Sequence, residues 1–520
     1  MEGMVMEEGT VKQKVGRRIW FFLLLGISGY YIWRLFALAP WYDELYTYHY
    51  FISRGPIYAA IHWPLPNNHF LYSILSAFMD YLGVPLLGLR GISLACAVAN
   101  LILLSFLAKN LLGEQYCIPV VCLYAGMDSV NYLAVQGRGY TLATTLYLIS
   151  LCCLYHICIS ESVKKKYYIV YSIALTAGLY TLPSSVYWVV PTCIAGGFIL
   201  LLSKKGKILL RLIVASIIAA VNTFIIYSAV WLAIGSNLLQ DDPSKTTYGE
   251  SHLKILLSEP LHSWICGRDF MAGSSYVQSE ATMRDMIVSF VPYWSNIFNG
   301  FYAHLAYGFF TVFLLTLLFT AVYVLRRHKQ TGQALFLSVF LSCTIILIAL
   351  MMFLQGAVPY ERVYSFVGVP SALSIVFCVN VGLGFLQEKG KETVLAFFGI
   401  FGIVMLIFCL GSAQYNRAYA GRETQIWELI RQENIPEDCC FFLTDSYQEL
   451  LLHFYYGDYR EVSSVEEADV LMMPLESLEN MDMVGWPVFY PYNYFDWPYI
   501  EREFDITYEN DGYLLYRRKQ

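Results

Sequence analysis

The chain has 520 residues, 57% of them hydrophobic and 14% charged, with a formal net charge of −6 and a mean hydropathy of +0.50. Soluble globular domains carry roughly 45–50% apolar and about 25% charged residues, so these values exclude that class and indicate a polytopic α-helical membrane protein. No basic tract suggests nucleic acid, and the 13 cysteines show neither zinc-site nor disulfide spacing.

Lys12, Lys14, Arg17 and Arg18 precede the first apolar run, Ile19 to Ala39, which is about the twenty residues a membrane helix needs. The run is too long for a secretion-signal core, it contains Arg34, and Pro40 follows Ala39. It therefore reads as an uncleaved span. Trp41-Tyr42-Asp43-Glu44 comes next. Two adjacent carboxylates at the mouth of a membrane helix are poorly placed for stability, and charges at membrane depth generally have a functional reason. Residues 69–87 are nearly long enough to span. Leu71, Ile74, Leu75, Phe78 and Leu82 recur on one face at helical spacing, so an amphipathic helix on the outer surface is expected.

Further apolar runs lie at about 89–109, 116–135, 140–160, 166–182, 184–203, 208–235, 302–325, 331–354, 364–386 and 393–412, giving about eleven spans. Lys and Arg are retained in cytoplasmic loops. Lys109, Lys164 to Lys166, Lys204, Lys205, Lys207 and Arg211, Arg326, Arg327 and Lys329, and Lys389 with Lys391 all fall on one side. The short connections 136–139, 181–184 and 358–362 fall on the other with single arginines or none. This pattern expects a cell-membrane protein with its N-terminus cytoplasmic and its C-terminus extracytoplasmic. Two larger outer segments are expected at 40–88, with the turn-rich His62-Trp63-Pro64-Leu65-Pro66-Asn67-Asn68, and at 236–301. The second begins with Gln240-Asp241-Asp242-Pro243 and is polar enough for a mobile cover.

The membrane-embedded domain is placed at 1–412 and a small C-terminal α/β domain at 413–520. From Gly411 onward there are 8 Lys/Arg against 21 Asp/Glu, a net of −13. Glu423 to Gln432 reads as a helix, and Cys440 to Leu443 and Asp469 to Met473 as buried strands. Phe504 to Tyr508 and Tyr513 to Tyr516, joined across Asn510-Asp511-Gly512, read as a hairpin.

Four outer-facing features converge in topology: Asp43-Glu44, Asn68-His69, Arg138 with Tyr140, and Tyr360 with Arg362. Together they offer a carboxylate base, an imidazole and two guanidinium groups, and Arg suits bidentate clamping of phosphate. Nucleotide sugars are absent outside the cell, so a sugar must arrive there on a lipid carrier. Transfer then needs a carboxylate to take the acceptor proton and fixed positive groups for the charge growing on the departing phosphate. Arg90 is read as an anchor at the start of the second span. No ligand cluster demands a metal or other cofactor, and a divalent cation is left open.

Trp41-Tyr42-Asp43-Glu44, Asn68-His69-Phe70-Leu71-Tyr72, Leu89-Arg90-Gly91-Ile92-Ser93 and Gln136-Gly137-Arg138-Gly139-Tyr140-Thr141-Leu142, in this order over about the first 200 residues, resemble the C-type (GT-C) multi-pass glycosyltransferases. The resemblance is to the group of protein O-mannosyltransferases and lipid A aminoarabinose transferases. It implies an inverting transfer from a polyprenyl-phosphate-linked sugar to an extracytoplasmic hydroxyl on a lipid, protein or wall polymer. It implies Asp43 as general base and Glu44 as a group holding acceptor or sugar. Arg138 would bind the donor phosphate, with Arg362 as a further substrate contact. Where the family usually has His-Pro-Pro, this chain has His69-Phe70-Leu71. Two other classes fit the composition, a polytopic transporter and a non-catalytic envelope assembly protein. A transporter would show broken helices and an internal repeat, and the sequence displays neither.

Overall fold

The computed structural model describes every residue except 1, 64–66, 240–252, 274–278, 281, 326–331, 385–387, 413–421, 434, 437, 483–491 and 520. The prolines of the 62–68 turn, the breakers Gln240 to Pro243, the basic residues Arg326, Arg327 and Lys329, and the expected start of the second domain at 413 lie outside the described residues.

Eight helices among the described residues are long and apolar enough to cross a bilayer: Val15–Ala37, Pro85–Leu111, Tyr140–Ile159, Pro183–Leu202, Gly206–Gly235, Gly332–Gln355, Glu361–Leu383 and Gly390–Gly411. A ninth expected span is broken: Glu114–Ala125 and Asp128–Ala134 meet at 77°. Nothing in the apolar run 116–135 marks this break. The backbone donors it frees are satisfied, because Asp128 and Ser129 N–H groups bond the carbonyls of Phe301 and Gly300, both at 2.8 Å. The last two expected spans are the 17-residue helix Lys165–Thr181 and Ala306–Leu325, whose apolar length runs from Ala306 to Val322.

Burial ranks these helices. Tyr140–Ile159 is 78% enclosed and forms the centre of the bundle, whereas Gly206–Gly235 and Gly390–Gly411 are 17% enclosed and form its outside. An apolar helix enclosed on all sides is a core element, so the loop that opens Tyr140–Ile159 is held rigidly from below.

The segment expected on the surface forms the helix Phe70–Asp80. At 11 residues it reaches about 16 Å, half a bilayer core. Its inward face is Phe70, Tyr72, Ser73, Ser76 and Ala77, while Phe78 and the following Leu82 are exposed. Small residues let it lie close to Pro85–Leu111: a Cβ on Gly88 would stand 2.9 Å from Asp80 Cα. The described part of the segment 236–301 is mostly helical. Pro260–Gly273 packs against Gly206–Gly235 so tightly that a Cβ on Gly267 would lie 1.9 Å from the Trp231 carbonyl oxygen. Ser279–Glu280 (β1) pairs antiparallel with Ala357–Val358 (β2).

The C-terminal domain is a five-stranded mixed sheet. Its strands are Cys440–Phe442 (β3), Arg460–Glu461 (β4), Val470–Pro474 (β5), Phe504–Glu509 (β6) and Tyr513–Arg518 (β7), in the order β4-β3-β5-β7-β6. β3 runs parallel to β4 and β5, while β7 is antiparallel to β5 and β6. The hairpin turn works as its residues suggest: Asn510 Oδ1 accepts from the N–H groups of Gly512 (3.0 Å) and Tyr513 (2.9 Å). The helices Arg422–Glu433 and Ser446–Tyr456 cover the sheet. Asp445 caps the second by accepting from Tyr447 and Gln448 N–H groups. This domain shares one apolar core with the segment after the first span. Leu45, Tyr48 and Ile52 are buried in the same cluster as Ile426, Trp427, Leu451 and Phe454.

Candidate active site

The first span ends at Ala37, and a short helix, Tyr42–Thr47, starts at once, continuing as a π-helical turn over Tyr48–Ile52. Glu44 occupies the third position of the short helix. Its Oε2 accepts from the backbone N–H of Trp41 at 2.9 Å, the reciprocal half of a capping box. Arg90 meets Glu44 in a two-bond fork, Nε to Oε1 at 2.8 Å and Nη2 to Oε2 at 2.9 Å. The same guanidinium donates to the carbonyls of Leu35 (3.0 Å), Leu38 (2.7 Å) and Ala39 (2.9 Å). It thereby satisfies acceptors left open at the end of the first span. Glu44 Oε1 also takes the N–H of Gly137 at 2.5 Å. Both side chains are wholly buried. One ion pair thus ties the first span, the helix carrying Asp43 and the loop carrying Arg138 to the second span.

Two glycines make that approach feasible. A Cβ on Gly137 would lie 2.5 Å from Leu89 Cδ1, and one on Gly139 would lie 2.8 Å from Thr181 Cγ2 and 3.1 Å from His69 Cβ. Gly139 N–H donates to His69 Nδ1 at 2.7 Å. His69 Nε2 faces Arg138 Nη2, a guanidinium nitrogen that can only donate, at 3.2 Å. Burial first, then the charges of Arg138 and Arg362, hold the His69 pKa well below its usual value, so the ring stays neutral. Tyr140 stands edge-on to it at 5.1 Å.

Arg138 is 2% exposed. Its Nη1 donates to Thr47 Oγ1 (2.7 Å), Asn67 O (3.1 Å) and Asp43 O (3.3 Å), while Nε is buried without a hydrogen-bond partner. Asp43 keeps 19% of its side chain exposed. Its Oδ2 lies 3.1 Å from Arg362 Nη1 and 3.9 Å from Arg138 Nη2. Arg362 is held more loosely, with its side chain 32% exposed and its guanidinium between the rings of Tyr360 (5.1 Å) and Trp41 (5.4 Å).

These groups wall one cavity of about 1020 Å³. Asp43, His69, Arg138, Tyr140, Tyr360 and Arg362 all line it. Glu44 does not: its oxygens are engaged with Arg90, Trp41 and Gly137, so the expectation that it touches substrate is replaced by a positioning place behind the wall. Asn68 lines the cavity but is engaged in the turn, its Nδ2 donating to Ala59 and His62 carbonyls at 2.8 Å each. The same cavity is also lined by the apolar side chains of Trp63, Leu182, Tyr227, Trp231 and Met271, together with Arg268. Thr47, Asn67 and Arg268 were not foreseen. Thr47 had a signal, since it sits one turn after Asp43 and its hydroxyl bonds the Asp43 carbonyl at 2.7 Å. Among the described residues no group of three or more His, Cys, Asp or Glu converges.

No family model matches the chain, and no curated protein matches it. Solved structures do. ArnT from Cupriavidus metallidurans bound to undecaprenyl phosphate superposes with a TM-score of 0.58 at 10% identity, covering 96% of this chain and 97% of that one. The apo state of the same protein gives 0.57 at 10% identity, covering 96% and 98%. The archaeal oligosaccharyltransferase AglB from Archaeoglobus fulgidus gives 0.43 at 12% identity, covering 87% of this chain and 65% of that one. At such identities the likeness is one of fold. The chain has the polytopic GT-C fold with a small C-terminal domain, as the four motifs suggested.

Proposed function

We propose that the chain is an inverting glycosyltransferase that moves a sugar from a polyprenyl-phosphate carrier to an acceptor hydroxyl on the extracytoplasmic side of a membrane. The observation that carries this reading is the Asp43 carboxylate flanked by Arg362 at 3.1 Å and Arg138 at 3.9 Å in the wall of one large cavity. The aromatic and apolar part of the cavity lining suits a polyprenyl tail. The fold likeness to ArnT, solved with undecaprenyl phosphate, supports the same donor class.

The charges suit that donor. A sugar phosphodiester carries one negative charge. With Asp43 ionised and two guanidinium groups, the loaded site is neutral. In the transfer, Asp43 takes the acceptor proton as the acceptor oxygen bonds the anomeric carbon. The bond from that carbon to the phosphate oxygen breaks with its electron pair. Asp43 becomes neutral as the phosphate gains its second charge, so the site stays neutral throughout. Charge moves only locally, between groups already surrounded by fixed donors. Arg138 is pinned by Thr47 and Asn67, whereas Arg362 is half-open. Donor entry therefore draws Arg362 from the carboxylate to the phosphate and frees Asp43 as a base.

The test is mass spectrometry of envelope glycans with and without the protein, followed by transfer from a polyprenyl-phosphate sugar by purified protein. A sugar adduct lost on deletion and restored by the wild type but not by Asp43→Asn is expected. Normal transfer by Asp43→Asn removes the assigned base.

A further inference from the structure

Tyr42, Tyr46 and Tyr50 follow at four-residue intervals along Tyr42–Thr47 and the π-helical turn after it, a spacing that places side chains on one helix face. Ring centroids are 6.5 Å apart for Tyr42 and Tyr46 and 4.3 Å apart for Tyr46 and Tyr50. Tyr447 of the C-terminal domain stands edge-on to Tyr42 at 4.8 Å. Arg54 lies over the Tyr50 ring at 5.7 Å. All four tyrosines are half-buried, and Tyr42 and Tyr46 line the cavity that holds Asp43. The ladder thus begins beside the proposed base and leads out along the seam between membrane domain and sheet domain. Leu45, Tyr48 and Ile52 of the same helix fill the shared core, and all four tyrosines are partly buried against its edge.

We propose that this tyrosine ladder is the acceptor subsite and that the acceptor is a neutral oligosaccharide chain, an inference that rests on the glycosyl-transfer reading above. A pyranose ring has a C–H face and a rim of hydroxyls. The first lies on an aromatic ring, and the second bonds phenol oxygens; tyrosine offers both from one rigid side chain. Glu449 on the helix facing Tyr50 adds a carboxylate that accepts hydroxyl protons. The net charge of −13 on the C-terminal segment repels a polyanionic acceptor at close range. A peptide laid along this face would find tyrosine side chains on a helix and no open strand edge for its backbone. An uncharged glycan is the chemistry left that uses the whole surface, and its terminal hydroxyl would reach Asp43 from the outer end of the ladder.

The test is saturation-transfer NMR on the full-length protein in neutral-lipid nanodiscs. The probes are hexasaccharides of β-linked glucose and of N-acetylglucosamine, and a proline-rich decapeptide. Transfer to ring C–H protons of a hexasaccharide is expected. Affinity should fall about tenfold in Tyr46→Ala and persist in Tyr46→Phe, which keeps the ring and controls for folding. No transfer to either hexasaccharide, equal binding by Tyr46→Ala, or transfer to the peptide alone overturns the ladder. A protein that binds the hexasaccharide through Tyr46 yet never turns over a polyprenyl-phosphate sugar overturns the underlying reading instead.

Discussion

Glu44 and Arg90 hold each other through hydrogen bonds of 2.8 and 2.9 Å with neither side chain open to solvent. Removing one partner of such a buried pair strands the other charge and costs roughly 3–5 kcal/mol. Glu44→Gln should therefore lower the thermal midpoint of the purified protein markedly and depress transfer through misplacement of Asp43 and Arg138. Arg90→Met should do the same and also release three carbonyls at the end of the first span. A melt and a turnover rate unchanged in Glu44→Gln would show the pair to be dispensable.

Asp43→Asn should separate the two effects. Its side chain is partly exposed and makes no core contact comparable to that of Glu44, so melting should stay near wild type. Loss of a general base should cut turnover by about 10²–10⁴-fold. Donor affinity should hold or rise, because a negative charge leaves the phosphate's neighbourhood. Titration with polyprenyl phosphate beside a turnover assay measures both.

The two arginines should differ. Arg362→Ala removes a half-open guanidinium, and should weaken donor binding by about 1.5–3 kcal/mol with little change in melting. Arg138→Ala also deletes bonds to Thr47 and Asn67, so it should lose both affinity and stability. Equal melting losses for both variants would contradict this division.

Acid should loosen the seam between the domains. His49 and His453 stand edge to face at 4.2 Å. Burial first, then His453 and Arg54, lowers the His49 pKa to about 4. His453 is lowered chiefly by burial, with Asp458 opposing and Arg54 assisting. The folded form thus binds fewer protons than the unfolded form between the usual pKa of about 6.5 and about 4. Stability is therefore full above pH 6.5 and falls as pH drops towards 4. Melting the full-length protein across this range should show the slope, and His49→Phe should flatten it.

Most of the architecture was legible because spans and strands announce themselves by period and length. The surface helix was separable from a span because Leu71, Ile74, Leu75, Phe78 and Leu82 share a face. The broken span was not, since Gly126-Met127 interrupts no apolar run and the bend is held by carbonyls of Gly300 and Phe301, far away in the chain. At the site, Asp43 and Arg138 stood out because charge at membrane depth is rare. The division of labour between Asp43 and Glu44 did not, because two neighbouring carboxylates look alike until Arg90 and Gly137 arrive from elsewhere. The tyrosine ladder was hidden among 42 tyrosines, and only the place of the C-terminal domain sets it apart.

The helix that bears Asp43 buries Leu45, Tyr48 and Ile52 in the core of the C-terminal sheet domain. A six-residue helix has no cooperative stability of its own in water. Arg90 holds it from the membrane side, and the rest of its order is borrowed from a polypeptide stretch made some four hundred residues later, so the nascent membrane bundle leaves the ribosome with its centre half supported. Removal of the sheet domain, even without loss of any membrane helix, would return the protein to that immature condition.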